Sequence, residues 1–147
     1  KIVFSGRRDN LSKEILDAIE ETEEKTKNNK SHIFNICFNY GGRADIIDAT
    51  KKIVDDCQKG KLDINNLTED VYTQYLYNGI PDIDLLIRTS GEVRISNFML
   101  YQAAYAEMYF PSILFPDFSN DDFDLALDVY NKRNRRFGGI NYEKKNN

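Results

Sequence analysis

A chain of 147 residues, 41% hydrophobic and 30% charged, is long enough for one core and too short for two. A net charge of −4 argues against nucleic acid as a partner, since binding a phosphate backbone normally needs a basic face. Local basic clusters at Arg7-Arg8, Lys51-Lys52 and Arg133 to Arg136 keep smaller anions open as ligands. Cys37 and Cys57 lack metal or disulfide spacing, and no secretory signal or membrane-length apolar stretch is visible, so the expected compartment is the cytoplasm.

Ile2 to Phe4 is a short apolar run stopped by Ser5-Gly6, a buried-strand pattern. A chain opening directly in a strand, without Met, suggests that upstream residues are missing. Ser12 can cap a helix whose apolar face is Leu11, Ile15 and Ile19 and whose solvated continuation reaches Lys27. Ile33 to Asn39 reads as a second strand, followed by the turn Tyr40-Gly41-Gly42. Ile46, Ile47, Ala49, Thr50, Ile53, Val54 and Cys57 then trace a helix face that stops at Lys59-Gly60. Thr68 opens a short helix through Leu76, and Leu85 to Ile87 is a third strand. Ser96 or Asn97 is expected to begin a helix through Ala106, with a fourth strand at Met108 to Phe110. Ser119 and Asp122 resemble a capping box for a last helix that runs to Gly138-Gly139, and residues 141–147 form a polar tail. Strands alternating with helices predict an α/β fold with a parallel sheet flanked by helices.

In open α/β sheets, ligands sit beyond the carboxyl ends of the strands. Two turns have that position: 39–43, and 88–96 with Arg88, Gly91, Arg94 and Ser96. Arginine forks pair with phosphate oxygens, Gly91 would admit a close backbone approach, and a helix start near Ile95 and Ser96 would add amide donors. Arg88, Arg94 and Ser96 therefore make a plausible diphosphate cradle. Arginines in surface turns are, however, common and usually solvated, and spacing alone leaves that reading slightly ahead. Asp45 reads as a first-turn helix acid, and the lone His32 has no triad partner.

The order Asn39-Tyr-Gly-Gly-Arg43, Asp84-Leu-Leu-Ile-Arg-Thr-Ser-Gly-Glu92, Arg94-Ile-Ser-Asn-Phe98, Glu107-Met-Tyr-Phe110, Phe115-Pro-Asp-Phe118 and Arg135-Arg-Phe-Gly-Gly139 resembles the cis-prenyltransferase family. The resemblance runs from Ile2 to Gly139 and implies that residues 1–140 are the C-terminal portion of a single such domain. It implies that Arg88 and the triplet Arg94, Ile95 and Ser96 hold the diphosphate of isopentenyl diphosphate, and that Glu107 is a ligand of Mg²⁺. Arg136 of Arg136-Phe137-Gly138 would reach the partner subunit's active site, although an arginine and a glycine also suit a helix C-terminus. Val93 stands where some members carry His.

No counterpart of the family's Asp-Gly-Asn-Gly-Arg segment is present. The essential catalytic aspartate is thus expected upstream of residue 1, and this chain alone is expected to be inactive. The activity implied is cis-condensation of isopentenyl diphosphate onto an allylic diphosphate such as farnesyl diphosphate, making a long polyprenyl diphosphate lipid-carrier precursor. The partners implied are a second copy, with residues 98–118 in much of the interface, and a membrane touched transiently at product release. The alternative is a non-catalytic prenyltransferase-like subunit supporting a catalytic chain.

Overall fold

The computed structural model describes residues 1–133. The chain folds as two compact units: Lys1–Pro81 with Ser96–Gln102, and Asp82–Ile95 with the chain from Ala103 onward.

In the first unit, β1 (Ile2–Ser5) and β2 (Phe34–Cys37) pair in parallel, Ile2 opposite Phe34 and Ser5 opposite Cys37. Helix α1 (Lys13–Thr26) packs on β1 through buried Ile19. Ser12 Oγ accepts the Ile15 amide at 3.4 Å, the expected cap. Two β1 amides find side-chain acceptors on α1: Ile2 N donates to Thr26 Oγ1 and Phe4 N to Glu23 Oε1, each at 2.9 Å. Those bonds occupy donors that an edge strand would otherwise offer to a foreign strand. A Cβ at Gly6, where φ is 135°, would lie 2.0 Å from the Phe38 carbonyl oxygen, so only glycine fits beyond β1.

Helix α2 (Gly42–Gln58) follows β2 and buries Ala49 and Ile53. Truncating Ile53, 3% exposed, to Ala would cost about 2–5 kcal/mol. Helix α3 (Glu69–Tyr75) packs against α2, and Thr68 Oγ1 accepts its Val71 amide at 3.2 Å. Leu76 and Met99 complete this core together with Val3.

In the second unit, β3 (Leu85–Ile87) and β4 (Glu107–Tyr109) are parallel, Leu85 opposite Glu107 and Ile87 opposite Tyr109. Helix α4 (Asn120–Asn131) begins at the predicted capping box of Ser119 and Asp122. Its Ala126 is fully buried, and Leu86 and Ala103 are buried as well. The α/β class with parallel pairing is the one expected, here as two two-stranded sheets among the described residues. Among those residues no helix is long and apolar enough to cross a membrane.

Two expected elements differ. Helix α4 ends at Asn131, where the Lys132 amide closes onto Asp128 O and Tyr130 O. The Arg133 amide donates to Tyr130 O at 3.1 Å, and its guanidinium Nη1 donates to Met108 O of β4 at 2.9 Å. No helix forms over residues 96–106, because Ser96, Asn97 and Met99 have left-handed φ values of 45°, 62° and 41°. An isolated helix start was read from local pattern alone, and tertiary bonds of Asn97 override it.

Candidate functional site

The arginine turn of the second unit begins where β3 stops. Arg88 N donates to Tyr109 O at 3.0 Å, extending the β3–β4 ladder by one bond. Ser90 and Gly91 follow with φ of 68° and 64°, a left-handed pair that reverses the chain. Their amides donate to Ile113 O at 2.7 Å and Pro111 O at 2.8 Å. Those donors are therefore committed to protein carbonyls. A Cβ at Gly91 would meet Ser112 only at 3.7 Å, so the positive φ, not crowding, is what calls for glycine there.

Arg88 Nη1 donates to the Arg94 carbonyl at 2.8 Å, so one guanidinium braces the backbone that carries the other. Arg94 is exposed and forms an ion pair with Glu92, two residues back. An exposed pair of this kind contributes roughly 0–1 kcal/mol, little enough for a dianion to displace the carboxylate. Ile95 is half-buried beside them. The arrangement can thus present two guanidinium groups to phosphate oxygens in a geometry lysine could not match.

Glu107 stands in β4, not at a helix end as its sequence context suggested. Its N–H donates to Asp84 O at 3.0 Å, and its Oε2 accepts Arg133 Nη1 at 2.8 Å. Its side chain is 23% exposed. Among the described residues no group of three His, Cys, Asp or Glu side chains could hold a metal ion. A lone carboxylate nevertheless suits Mg²⁺, which keeps several waters and takes its remaining oxygens from substrate phosphates. Glu107 would suit that role as a single ligand, its Oε2 being held here by Arg133.

Ser96 belongs to the first unit, in the segment Ser96–Gln102. With no helix there, the amide array expected at a helix start near Ile95 and Ser96 does not exist. Arg136 lies outside the described residues. Of the expected site residues, the fold brings Arg88 and Arg94 together and sets Glu107 against Arg133.

Sequence reasoning missed the polar network beneath the Asn39–Arg43 turn. Asp45 is a first-turn acid of α2, as expected, and it is 1% exposed. Its carboxylate accepts from Tyr77 N at 2.8 Å, Tyr40 OH at 3.0 Å and Gln102 Nε2 at 3.3 Å. Burial, and then the Asp45 charge, push the Tyr40 hydroxyl well above its ordinary range. The same two causes raise the Cys37 thiol. One turn further along α2, Arg7 grips Asp48 with two bonds of 2.8 Å, and Tyr77 OH also donates to Asp48. The Arg7 hydrogen bonds are the main reason that the Asp48 carboxyl is lowered to about 2. The turn-forming role expected of 39–43 holds: Gly41 is the extended N-cap of α2 and Asn39 has φ 49°. No periodicity marks Asp45 as buried; only its three donors reveal it.

The fold is α/β, with an arginine-bearing turn at the end of a parallel strand. The match with known proteins narrows that class. Residues 1–138 match the family model described as "Putative undecaprenyl diphosphate synthase". The chain is 51% identical over 140 residues to an isoprenyl transferase of Fusobacterium nucleatum subsp. nucleatum and 49% identical over 141 residues to one of Thermotoga maritima. Each alignment covers 95% of the chain, but only 58% and 60% of those relatives. Among solved structures, lavandulyl diphosphate synthase from Lavandula x intermedia, in complex with dimethylallyl diphosphate, superposes with a TM-score of 0.84 at 39% identity. That match covers 93% of this chain and 60% of the other. A probable undecaprenyl diphosphate synthase from Campylobacter jejuni gives 0.82 at 33%, covering 94% and 62%. This chain belongs to the undecaprenyl diphosphate synthase family of prenyltransferases. It spans about three-fifths of the length of these relatives.

Proposed function

We propose that the protein carrying this chain elongates prenyl diphosphates in the cis configuration, and that this chain contributes the isopentenyl-diphosphate side of the site. The observation that carries the reading is the family match over residues 1–138 combined with the Arg88–Arg94 turn, where the Arg88 guanidinium braces the Arg94 carbonyl and Arg94 itself sits on an exposed ion pair. In the reaction a carbon–carbon bond forms between the terminal alkene carbon of isopentenyl diphosphate and the first carbon of the allylic partner. The allylic carbon–oxygen bond breaks, diphosphate leaves with the electron pair, and a proton is lost from isopentenyl C2 to set the new double bond.

By the family resemblance Arg88, Arg94, Ile95 and Ser96 would hold the isopentenyl diphosphate, and of these Ile95 is half-buried. Arg88 also keeps the Arg94 backbone in place through its 2.8 Å bond. Glu107 would hold Mg²⁺, which supplies neutralisation of diphosphate charge when bound. Arg133 is the cation that shields Glu107 until then. The allylic partner is of the farnesyl diphosphate type and the product a long polyprenyl diphosphate. The working form is a homodimer in the cytoplasm that meets the membrane at product release. Exposed Tyr105, Leu114 and Phe115 in the second unit support an apolar interface there. Arg136 would reach the partner's site.

The test is incubation of the complete protein with labelled isopentenyl diphosphate, farnesyl diphosphate and Mg²⁺. Label is expected in a ladder of longer prenyl diphosphates. No product with farnesyl, geranylgeranyl or dimethylallyl diphosphate would leave a supporting, non-catalytic subunit as the better reading.

A further inference from the structure

Helix α2 carries 17 residues but no side-chain cap of its own, because its N-cap is Gly41. A helix start leaves backbone N–H groups without intrahelical partners. Here a residue far along the chain takes two of them. Asn97 O accepts Gly42 N at 2.7 Å and Asn97 Oδ1 accepts Arg43 N at 2.9 Å.

The glycine pair before α2 has the matching shape. A Cβ at Gly41 would lie 2.9 Å from Asn97 Nδ2. One at Gly42 would lie 2.8 Å from Leu100 Cγ and 3.1 Å from Asn97 O. Glycines at both positions therefore admit the 97–100 segment against the helix start. The arrangement also takes α2 out of contention as an anion site, since its first amides already face a carbonyl and an amide oxygen.

The left-handed backbone of Ser96 and Asn97 needs something to hold it. Consecutive non-glycine residues at φ 45° and 62° sit in a sparsely populated region and persist only where their surroundings fix them. The two bonds to α2 are that fixture. We propose that Asn97 is a positioning residue for isopentenyl diphosphate: by capping α2 it holds the adjoining Ser96 in its left-handed backbone state. The inference rests on the role given to Ser96 above.

The experiment is steady-state kinetics of the complete enzyme with Asn97→Gly, Asn97→Asp and Ser96→Ala. Glycine keeps the left-handed φ and removes only the side-chain acceptor. Aspartate keeps the acceptor. Asn97→Gly is expected to raise KM for isopentenyl diphosphate about ten-fold, with the allylic KM and kcat within about two-fold. Asn97→Asp is expected to restore it. An unchanged KM in Asn97→Gly, equal impairment of the Asp variant, or a parallel rise in both KM values would overturn the proposal. If Ser96→Ala also leaves KM unchanged, the role of Ser96 fails instead. Should Asn97→Gly not fold, Gly41→Ala displaces the Asn97 amide by crowding and is expected to give the same selective rise; an unchanged KM there overturns the proposal equally.

Discussion

The polar groups of the two units are handled in opposite ways. In the first, Asp45 is buried under three donors. In the second, Arg94 is exposed and pairs with a near neighbour. Saturated buried networks fix a backbone, because each lost partner leaves a desolvated group behind. Exposed pairs cost little to exchange and so leave charge available for a ligand. The first unit is built to hold a shape, and the second to trade partners.

The largest effect expected from this contrast is on stability. Asp45→Ala should cost about 3–5 kcal/mol in urea unfolding, since three donors lose their acceptor in a buried place. A loss under about 1 kcal/mol would mean that water replaces the carboxylate. Arg94→Ala should do the reverse. Its unfolding free energy should stay within about 0.5 kcal/mol of the parent, while KM for isopentenyl diphosphate in the complete enzyme rises roughly ten-fold, a loss of ~1.4 kcal/mol.

Much of this contrast could be read beforehand, and its omissions have physical causes. The strands at 2–4 and 85–87, the Ser12, Thr68 and Ser119 caps and the Arg88–Arg94 turn follow from apolar runs, short polar caps and residue identity, all local signals. Asn97 shows why the rest could not. Its capping partner is 54 residues away, and the same Ser-Asn pair that suits a helix start suits a left-handed turn. Asp45 was hidden likewise: an acid in a first helical turn looks solvated until Tyr77 and Gln102 arrive from elsewhere in the chain.

Acid should test the Arg7–Asp48 pair next. The Asp48 carboxyl is lowered from 3.8 to about 2 by Arg7, so its contribution is present above pH 4 and is lost as pH falls through 2. Equilibrium unfolding between pH 5 and pH 2 should show a steeper loss in the parent than in Arg7→Ala. Equal slopes would mean that Arg7 does not set the Asp48 titration. The smallest effect belongs to Glu92→Gln, which removes the partner of Arg94. Its unfolding free energy should shift by no more than about 0.5 kcal/mol, and KM for isopentenyl diphosphate should stay level or fall slightly. A clear rise in KM would make Glu92 a necessary brace for Arg94.

The central claim is that the arginine turn serves isopentenyl diphosphate and not the allylic partner. The most direct measurement is the pair of KM values, isopentenyl and allylic, for Arg88→Ala and Arg94→Ala in the complete enzyme. The account predicts a rise of about ten-fold or more in the isopentenyl value alone. Equal rises in both values, or none in either, would contradict it.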